Sequence, residues 1–510
     1  MATGQLEIER KFDVDEPFAL PSFDHLPEVA AVDPPVEHDL EATYHDTVDL
    51  RLLRGRVTLR RRTGGTDAGW HLKLPAGSAR RELHAPLGRA VKNPPKGFLA
   101  PVAGLLRGEK TVRVASLRTR RVVTVLRDAA GRVLAEVADD TVTATAFGAG
   151  TDRPAGVQAW REVEVELVSG DEDLLAAVAQ CLEDAGARPS ASASKAGRVL
   201  AARLPDEAPP GTAKKGKKGG PTAGAFVVGA LREQVAALQQ ADILLRTEQP
   251  DAVHQMRIAA RRLRSSLAAF RDVLDRDATR PIREELAWLG AELSGARDDE
   301  VALAHLRELL AAEPPELVPG PVAARIQQAD LQAMRAGLDA ALATVEDHRY
   351  VALLDSLHDL LGDPPLTVRG TDAAGPVLRK AVRRTVRRLR RHLESAERAS
   401  DDDRLEALHA VRKAAKRVRY AAEAGGAGLE AVAPLLRPAK RMQKLLGALQ
   451  DTVVTREQCR RLGLAAFAAR ENAFAYGRLH ALEQARAEAA ERRFWEKEPR
   501  LRKALERASG

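Results

Sequence analysis

A chain of 510 residues that is 30% charged and 45% apolar is too long for one ordinary domain, and no apolar run approaches the ~20 residues a membrane-spanning helix needs. Its net charge of +8 points to a polyanionic partner, but aromatic residues at 4% offer few platforms for stacked bases, which disfavours nucleic acid. Cys181 and Cys459 lack the spacing of a metal site or a disulfide framework, and the charged stretch from Glu7 to Lys11 stands where a secretory signal would be apolar. A cytoplasmic location with no membrane partner is expected.

Residues up to 203 read as an antiparallel sheet, with short alternating segments separated by Gly-containing turns. In Glu7-Ile8-Glu9-Arg10-Lys11-Phe12 a period of two puts Glu7, Glu9 and Lys11 on one face. Val57–Arg62 brings Arg60 and Arg62 together, and Trp70–Leu74 sets His71 and Lys73 against Leu72 and Leu74. Around Ser116–Val122 the register is open, so either Arg120 or Arg121 faces inward. Asp140 is preferred to Asp139 because it shares parity with Glu136, and Glu162–Val168 aligns Glu162, Glu164 and Glu166. Charged strand faces are usually just solvated faces. Here one sheet offers both signs repeatedly: aligned carboxylates repel unless a cation sits among them, and clustered Arg and Lys want an anion. A barrel lined with both would hold a metal–phosphate complex.

The segment Glu7-x-Glu9-x-Lys11 resembles the ExExK signature of the CYTH domain, the triphosphate tunnel metalloenzyme family. The resemblance continues through Tyr44-His-Asp46-Thr47, Leu59-Arg60-Arg61-Arg62, Trp70-His-Leu-Lys73-Leu, Arg81-Glu82, Glu162-x-Glu164-x-Glu166-Leu and Ser194-Lys195, across residues 1–203. It implies an antiparallel β-barrel whose tunnel binds a triphosphate. Lys11, Arg60, Arg62, Lys73, Lys195 and one of Arg120 and Arg121 would grip phosphate. Glu7, Glu9, Asp140, Glu164 and Glu166 would face Mg²⁺ or Mn²⁺, Glu82 and Glu162 would lie further out, and Glu7, Glu9 and Lys11 form the catalytic signature. The chemistry would be metal-assisted attack of water on a terminal phosphorus, with no protein nucleophile. The sequence has no GxxxxGK[ST] loop, and inorganic triphosphate is preferred to other triphosphates.

A Pro-, Gly- and Lys-rich stretch over 204–223 reads as a flexible basic linker. Beyond it the chain is helical and internally duplicated. His254-x-x-Arg257-x-x-x-Arg261-Arg262-x-Arg264 returns as His409-x-x-Arg412-x-x-x-Lys416-Arg417-x-Arg419. At 100° per residue, His254, Arg257, Arg261 and Arg264 fall within a ~80° arc, as do His409, Arg412, Lys416 and Arg419. A helix is expected to end after each copy, at Leu293-Ser-Gly-Ala-Arg-Asp298 and at Leu446-Gly-Ala-Leu-Gln-Asp451. Leu378–Arg391 adds a run including Arg379, Arg383 and Arg387 with no acid, and Lys440 and Lys444 make another i, i+4 pair. Cations so spaced destabilise a helix by about 0.2–0.5 kcal/mol per pair, so the repetition calls for an anion.

These duplicated helices resemble the CHAD domain, the conserved-histidine α-helical domain, over residues 224–507, and that domain is known to follow CYTH domains. The resemblance implies two pseudo-symmetric four-helix bundles around a basic pore that binds inorganic polyphosphate, with His254 and His409 as phosphate donors. The whole is an α+β multidomain chain, expected to be a divalent-metal-dependent triphosphatase joined to a polyphosphate-binding domain, with inorganic triphosphate and polyphosphate as partners and polyphosphate granules as a place of association. The competing readings are a non-catalytic polyphosphate-binding or targeting protein and, weakest, a nucleic-acid binder.

Overall fold

The computed structural model describes residues 3–77, 79–88, 93–151, 153–204, 221–424 and 430–509, with the side chains of 3–5, 295–298, 300, 424, 430–432 and 509 excluded. Residues 205–220 of the predicted linker, and the side chains of Arg297 and Asp298, lie outside the described residues. The chain forms two compact units, Met1–Glu207 and Ala208–Gly510.

In the first unit, eleven strands make one antiparallel sheet: β1 (Thr3–Glu7), β2 (Glu9–Val14), β3 (Ala31–Val32), β4 (Val36–Asp46), β5 (Thr58–Thr63), β6 (Gly69–Ala76), β7 (Ala79–Pro86), β8 (Val112–Arg127), β9 (Val133–Phe147), β10 (Pro154–Leu167) and β11 (Arg188–Pro189). The path runs β1-β7-β6-β5-β4-β8-β9-β10-β2-β11, with β3 beside β8. Only Ile8 separates β1 from β2, yet β1 pairs with β7 and β2 with β10, so the two halves of one opening strand join the sheet's two ends and curl it into a barrel. Such closure removes the unpaired edges an open sheet would leave.

Outward-facing Phe12, Val14, Val137, Val163 and Val165 are covered by helix α3, so numbered after the short helices α1 (Arg51–Arg54) and α2 (Ala103–Leu106). The α3 helix spans Glu172–Asp184, is capped by the Asp171 carboxylate accepting from the Leu174 N–H, and buries Leu174, Leu175, Val178 and Leu182. Each such side chain contributes about 1.5–3 kcal/mol. On the inner face, Leu117 of β8 and Val142, Ala144 and Ala146 of β9 share strand parity with Arg121 and Asp140, and they pack with Ala196, Val199 and Leu200 of α4 (Lys195–Leu200). The interior is therefore apolar along one stretch and charged along the next, and α4 sets Lys195 at the boundary.

The second unit is helical: α5 (Ala223–Arg246), α6 (Ala252–Ala269), α7 (Arg276–Glu292), α8 (Gly295–Ala311), α9 (Val322–Glu346), α10 (His348–Gly362), α11 (Ala374–Glu397), α12 (Asp401–Ala424), α13 (Leu436–Ala468) and α14 (Phe474–Ser509). Thr222 and Ala373, the N-caps of α5 and α11, pair in an antiparallel bridge, as two copies related by a twofold would. One core spans both copies, from Val227 and Leu263 to Leu389 and Val418, and a smaller one joins Leu303, Ile326, Leu462 and Leu479. The copies differ at the predicted helix ends. The first breaks between α7 and α8, but the second corrects the expectation: Leu446–Asp451 lies inside the unbroken α13. Gly447 there ends nothing; the Arg412 guanidinium lies 3.5 Å from where its Cβ would be, so the glycine makes room for a side chain.

Candidate functional site

Inside the barrel the charged side chains form two connected groups. The first is built by β2, β8, β9, β10 and α4, whose register sets Lys11 opposite Glu164, Glu162 opposite Asp140, and Asp140 opposite Arg121. The Arg121 guanidinium grips Asp140 through two bonds of 2.7 and 2.6 Å and donates to Glu164 at 2.5 Å. Lys195 Nζ lies 2.9 Å from Asp140, 2.5 Å from Glu162 and 2.7 Å from Glu164. Lys11 bonds Glu9 at 3.0 Å and also pairs with Glu164. Burial works to raise Glu164, but Lys11, Lys195 and Arg121 outweigh it and hold the carboxyl well below its usual range. Burial opposes the charge on Lys195 as well, and the surrounding carboxylates raise its pKa above the ordinary value.

The second group is built by β1, β5, β6 and β7. Lys73 donates to Glu7 at 2.6 Å, while Glu82 faces His71 Nδ1 at 2.9 Å and Arg60 at 3.5 Å. Burial, and then the adjoining Glu82 carboxyl, push Glu7 up to about 8 despite Lys73. Burial also works to raise Glu82, yet His71, Lys73, Glu7 and Arg60 together bring it below the usual range. Arg62 pairs with Asp67, and burial plus the charges of Arg60 and Arg121 depress its pKa. Three guanidiniums this close favour an anion among them. At the strand ends Glu166 pairs in register with Glu9, and burial raises its carboxyl.

The structure thus brings Glu7, Glu9, Lys11, Arg60, Arg62, Lys73, Arg121, Asp140, Glu164, Glu166 and Lys195 to the barrel's inner face. Arg120 is corrected: it points outward, 60% exposed, and holds Glu37 of β4 at 2.6 Å, because neighbouring strand residues face opposite ways. Asp139 likewise binds Arg161 on the outside. Glu162 and Glu82, expected further out, sit within the two groups. The signal for Glu162 was its parity with Glu164 and Glu166; Glu82 enters through the β6–β7 register, which sets it opposite Lys73 and which the sequence alone does not show.

In the helical unit, α6 and α12 turn their basic faces toward one another. Arg261 Nε donates to Tyr420 Oη at 2.9 Å, and the Arg419 guanidinium lies 4.7 Å from the Tyr420 ring centroid. Lys416 is held here among Arg412, Arg261, Arg419 and Arg257; burial first, then these charges, lower its pKa to about 7. Arg257 reaches the Ser294 carbonyl at 3.4 Å, and His409 Nδ1 lies 2.6 Å from Gln450 Oε1. Burial, with Lys413, Arg412 and Lys416, lowers the His409 pKa; with Nδ1–H donating to Gln450, Nε2 of the neutral ring is an acceptor and would donate to phosphate only in the protonated ring. His254 is half-buried on α6, Arg264 is exposed near Arg417, and Arg379, Arg383, Arg387, Lys440 and Lys444 are exposed on α11 and α13.

Residues 5–199 match the CYTH domain family and residues 229–460 match the CHAD domain family. The chain is a CYTH–CHAD protein. Two uncharacterized Mycobacterium tuberculosis proteins, Rv2226 and MT2285, are 39% identical to this CYTH–CHAD chain over 509 residues, covering 98% of it and 96% of each relative. Among solved structures, PptA from Streptomyces chartreusis aligns with 56% of the chain and 99% of its own at 24% identity and a TM-score of 0.45. A CHAD domain from the plant Ricinus communis aligns with 56% of this chain and 92% of its own at 24% identity and a TM-score of 0.43. A Hippeastrum protein, described as having a dominant triphosphatase activity, aligns with 39% of this chain and 98% of its own at 18% identity and a TM-score of 0.23.

The CYTH unit's donors suit a hard divalent cation. Asp140, Glu162 and Glu164 each offer an oxygen, all within 4.8 Å of one another, and carboxylates are the ligands Mg²⁺ and Mn²⁺ prefer. The Lys195 ammonium now pairs with all three. No helix among the described residues is long and apolar enough to cross a membrane.

Proposed function

We propose that the CYTH unit hydrolyses inorganic triphosphate or a related triphosphate with Mg²⁺ or Mn²⁺, and that the CHAD unit binds inorganic polyphosphate. The observation that carries the reading is the interleaving of Lys11, Arg121 and Lys195 with Asp140, Glu162 and Glu164 inside one barrel. Such a site has cations for phosphate oxygens and carboxylates for a metal, each at present satisfied by the other.

Asp140, Glu162 and Glu164 would hold the ion, with Glu7, Glu9 and Glu166 on the same inner face. When bound, the ion would neutralise charge on the transferring phosphoryl group and polarise water. Lys11, Arg60, Arg62, Lys73, Arg121 and Lys195 would bind and orient the chain of phosphates, and the Arg60–Arg62–Arg121 cluster would gather negative charge as it moves to the leaving oxygen. The bidentate hold of Asp140 on Arg121 fixes that guanidinium before substrate arrives.

The test is phosphate release from inorganic triphosphate, ATP, thiamine triphosphate and long-chain polyphosphate with Mg²⁺ or Mn²⁺, comparing the wild type with Glu7→Ala/Glu9→Ala. Triphosphate-selective turnover, lowered on the order of 100-fold or more in the variant, is expected. Metal-independent turnover would overturn the role given to the divalent ion, and no turnover with any substrate alongside tight polyphosphate binding would leave a phosphate-chain-binding protein.

A further inference from the structure

The twofold relation between α6 and α12 makes Arg262 the counterpart of Arg417, Arg264 that of Arg419, and Ala268 that of Glu423. The two flanks of the face between these helices should therefore match, and they do not. On one flank Glu423 accepts Arg419 of its own helix at 3.2 Å and lies 3.7 Å from Arg262 of the other. On the opposite flank the counterpart of that acid is Ala268, and Arg264 is near enough for its charge to disfavour the Arg417 guanidinium.

Two further elements load the second flank with positive charge. Arg384 of α11 is anchored to the end of α6 by Asp272 at 2.7 Å and the Ala269 carbonyl at 2.7 Å, so Arg388, one turn on, comes to the Arg264–Arg417 pair. Arg283 of α7 adds to this flank, near enough to Arg264 for the two charges to oppose each other and only partly offset by Glu284 of its own helix, and its Nε is buried without a hydrogen-bond partner. The surroundings register the crowding: burial first, then Arg388, Arg264 and Arg283, depress Arg417, and burial with Arg388, Arg417 and Arg391 depresses His392. Over the corresponding stretch of α5, the mate of α11, Val228–Gln240 carries Arg232 and Glu233 where Arg379–Arg391 is largely basic. Both the missing acid and the added arginines fall on the same flank.

We propose that a phosphate chain seated at Lys416 continues onto the flank made by Arg264, Arg283, Arg388 and Arg417, and not onto the flank closed by Glu423, so that the CHAD unit binds polyphosphate with its excess length on one side only. This rests on the polyphosphate reading above. Like charges held this close lose Coulomb energy that a polyanion returns on binding, whereas Glu423 already neutralises its own flank. Inorganic triphosphate, with only three phosphates to place, should gain less from the second flank than a long chain does.

The experiment measures binding of long-chain polyphosphate and of inorganic triphosphate to the full chain at fixed ionic strength. Arg388→Ser/Arg417→Ser should weaken the long chain on the order of tenfold, about 1.4 kcal/mol, and triphosphate less than about twofold. Ala268→Glu, which copies the closed flank, should reproduce this loss, while Arg262→Ser should leave long-chain affinity within about twofold. Unchanged circular dichroism and thermal midpoint separate these effects from misfolding. Equal losses on both flanks, or none on the Arg388 flank, would overturn the proposal. Lys416→Ala/Arg412→Ala distinguishes the two levels: if it too leaves binding untouched, the polyphosphate reading itself fails, and if it abolishes binding while the flank variants do nothing, only the one-sided path is wrong.

Discussion

Buried cations meet carboxylates in the CYTH unit and meet other cations in the CHAD unit. Glu164 takes Lys11, Arg121 and Lys195 at once, whereas Lys416 faces Arg257, Arg261, Arg412 and Arg419. The strand pattern explains the first: acid-bearing β9 and β10 lie beside base-bearing β8 and β2, so the closed sheet interleaves the signs. Duplication explains the second, since copying a basic helix and folding the copies face to face doubles one sign. The barrel is thus a set of ion pairs that a metal and a phosphate can enter by exchanging partners, and the helical face, offset on one flank by Glu423, keeps an excess of positive charge that an arriving anion relieves.

Glu164→Gln strikes the contrast hardest. It removes one charge and leaves three buried cations short of a partner, so turnover of triphosphate should fall on the order of 100-fold or more. Breaking a buried pair from one side costs about 3–5 kcal/mol, and chemical denaturation should show a loss of that order in the CYTH unit. Lys416→Met does the reverse. It removes a cation from among cations, so the CHAD unit should gain stability at pH 6–7 while its affinity for polyphosphate drops about tenfold. Equal destabilisation by the two substitutions would break the comparison.

The two units should also respond to pH with opposite signs. Lys416, lowered from its ordinary 10.5 to about 7, loses in the folded state a proton that the unfolded chain keeps, so its contribution makes the CHAD unit more stable as pH rises from about 7 toward 10.5. Polyphosphate favours the charged amine, so affinity should fall with rising pH across the same window, by at most about tenfold per pH unit, and the fall should flatten in Lys416→Met. Glu7, raised from 4.5 to about 8, keeps when folded a proton that the unfolded chain releases, so its contribution to CYTH stability declines as pH climbs from about 4.5 through 8. Hydrogen exchange on the full chain in chelator, with and without Glu7→Gln, reads this slope; a CYTH unit whose stability rises over that window because of Glu7 would contradict the burial argument.

What the sequence disclosed depended on whether a pattern fixed direction. A period of two around Glu7–Lys11 and Glu162–Glu166 is enough to send their charges to one face, because one-residue slips would bury the wrong side. The duplicated motif similarly marked His254, Arg257, Arg261 and Arg264 as one ridge and His409, Arg412, Lys416 and Arg419 as another, and the fold brings Arg257, Arg261, Arg412 and Arg419 around Lys416. Partnership across elements was not legible: nothing in the sequence joins Glu82 to His71, or Arg384 to Asp272, since both depend on which neighbours the fold supplies. The same holds for Leu446–Asp451, where local chemistry suggests a helix end and the packing of Arg412 against Gly447 explains why the glycine is kept within α13.

The smallest expected effect tests the finest of these distinctions. On β8, Arg120 follows Ser116 and Arg118 in parity and, like Arg118, meets a glutamate of β4 on the exposed face, while Arg121 follows Ala115 and Leu117 inward. An ion pair as exposed as Arg120–Glu37 is screened by solvent, so Arg120→Ala should leave the unfolding midpoint close to that of the wild type and triphosphate turnover unchanged. Arg121→Ala, one residue along, should lose activity together with the anchor on Asp140 and Glu164. If turnover instead responds to Arg120 and ignores Arg121, β8 is displaced by one residue, and with it the inward assignment of Arg121 that completes the buried ion-pair group.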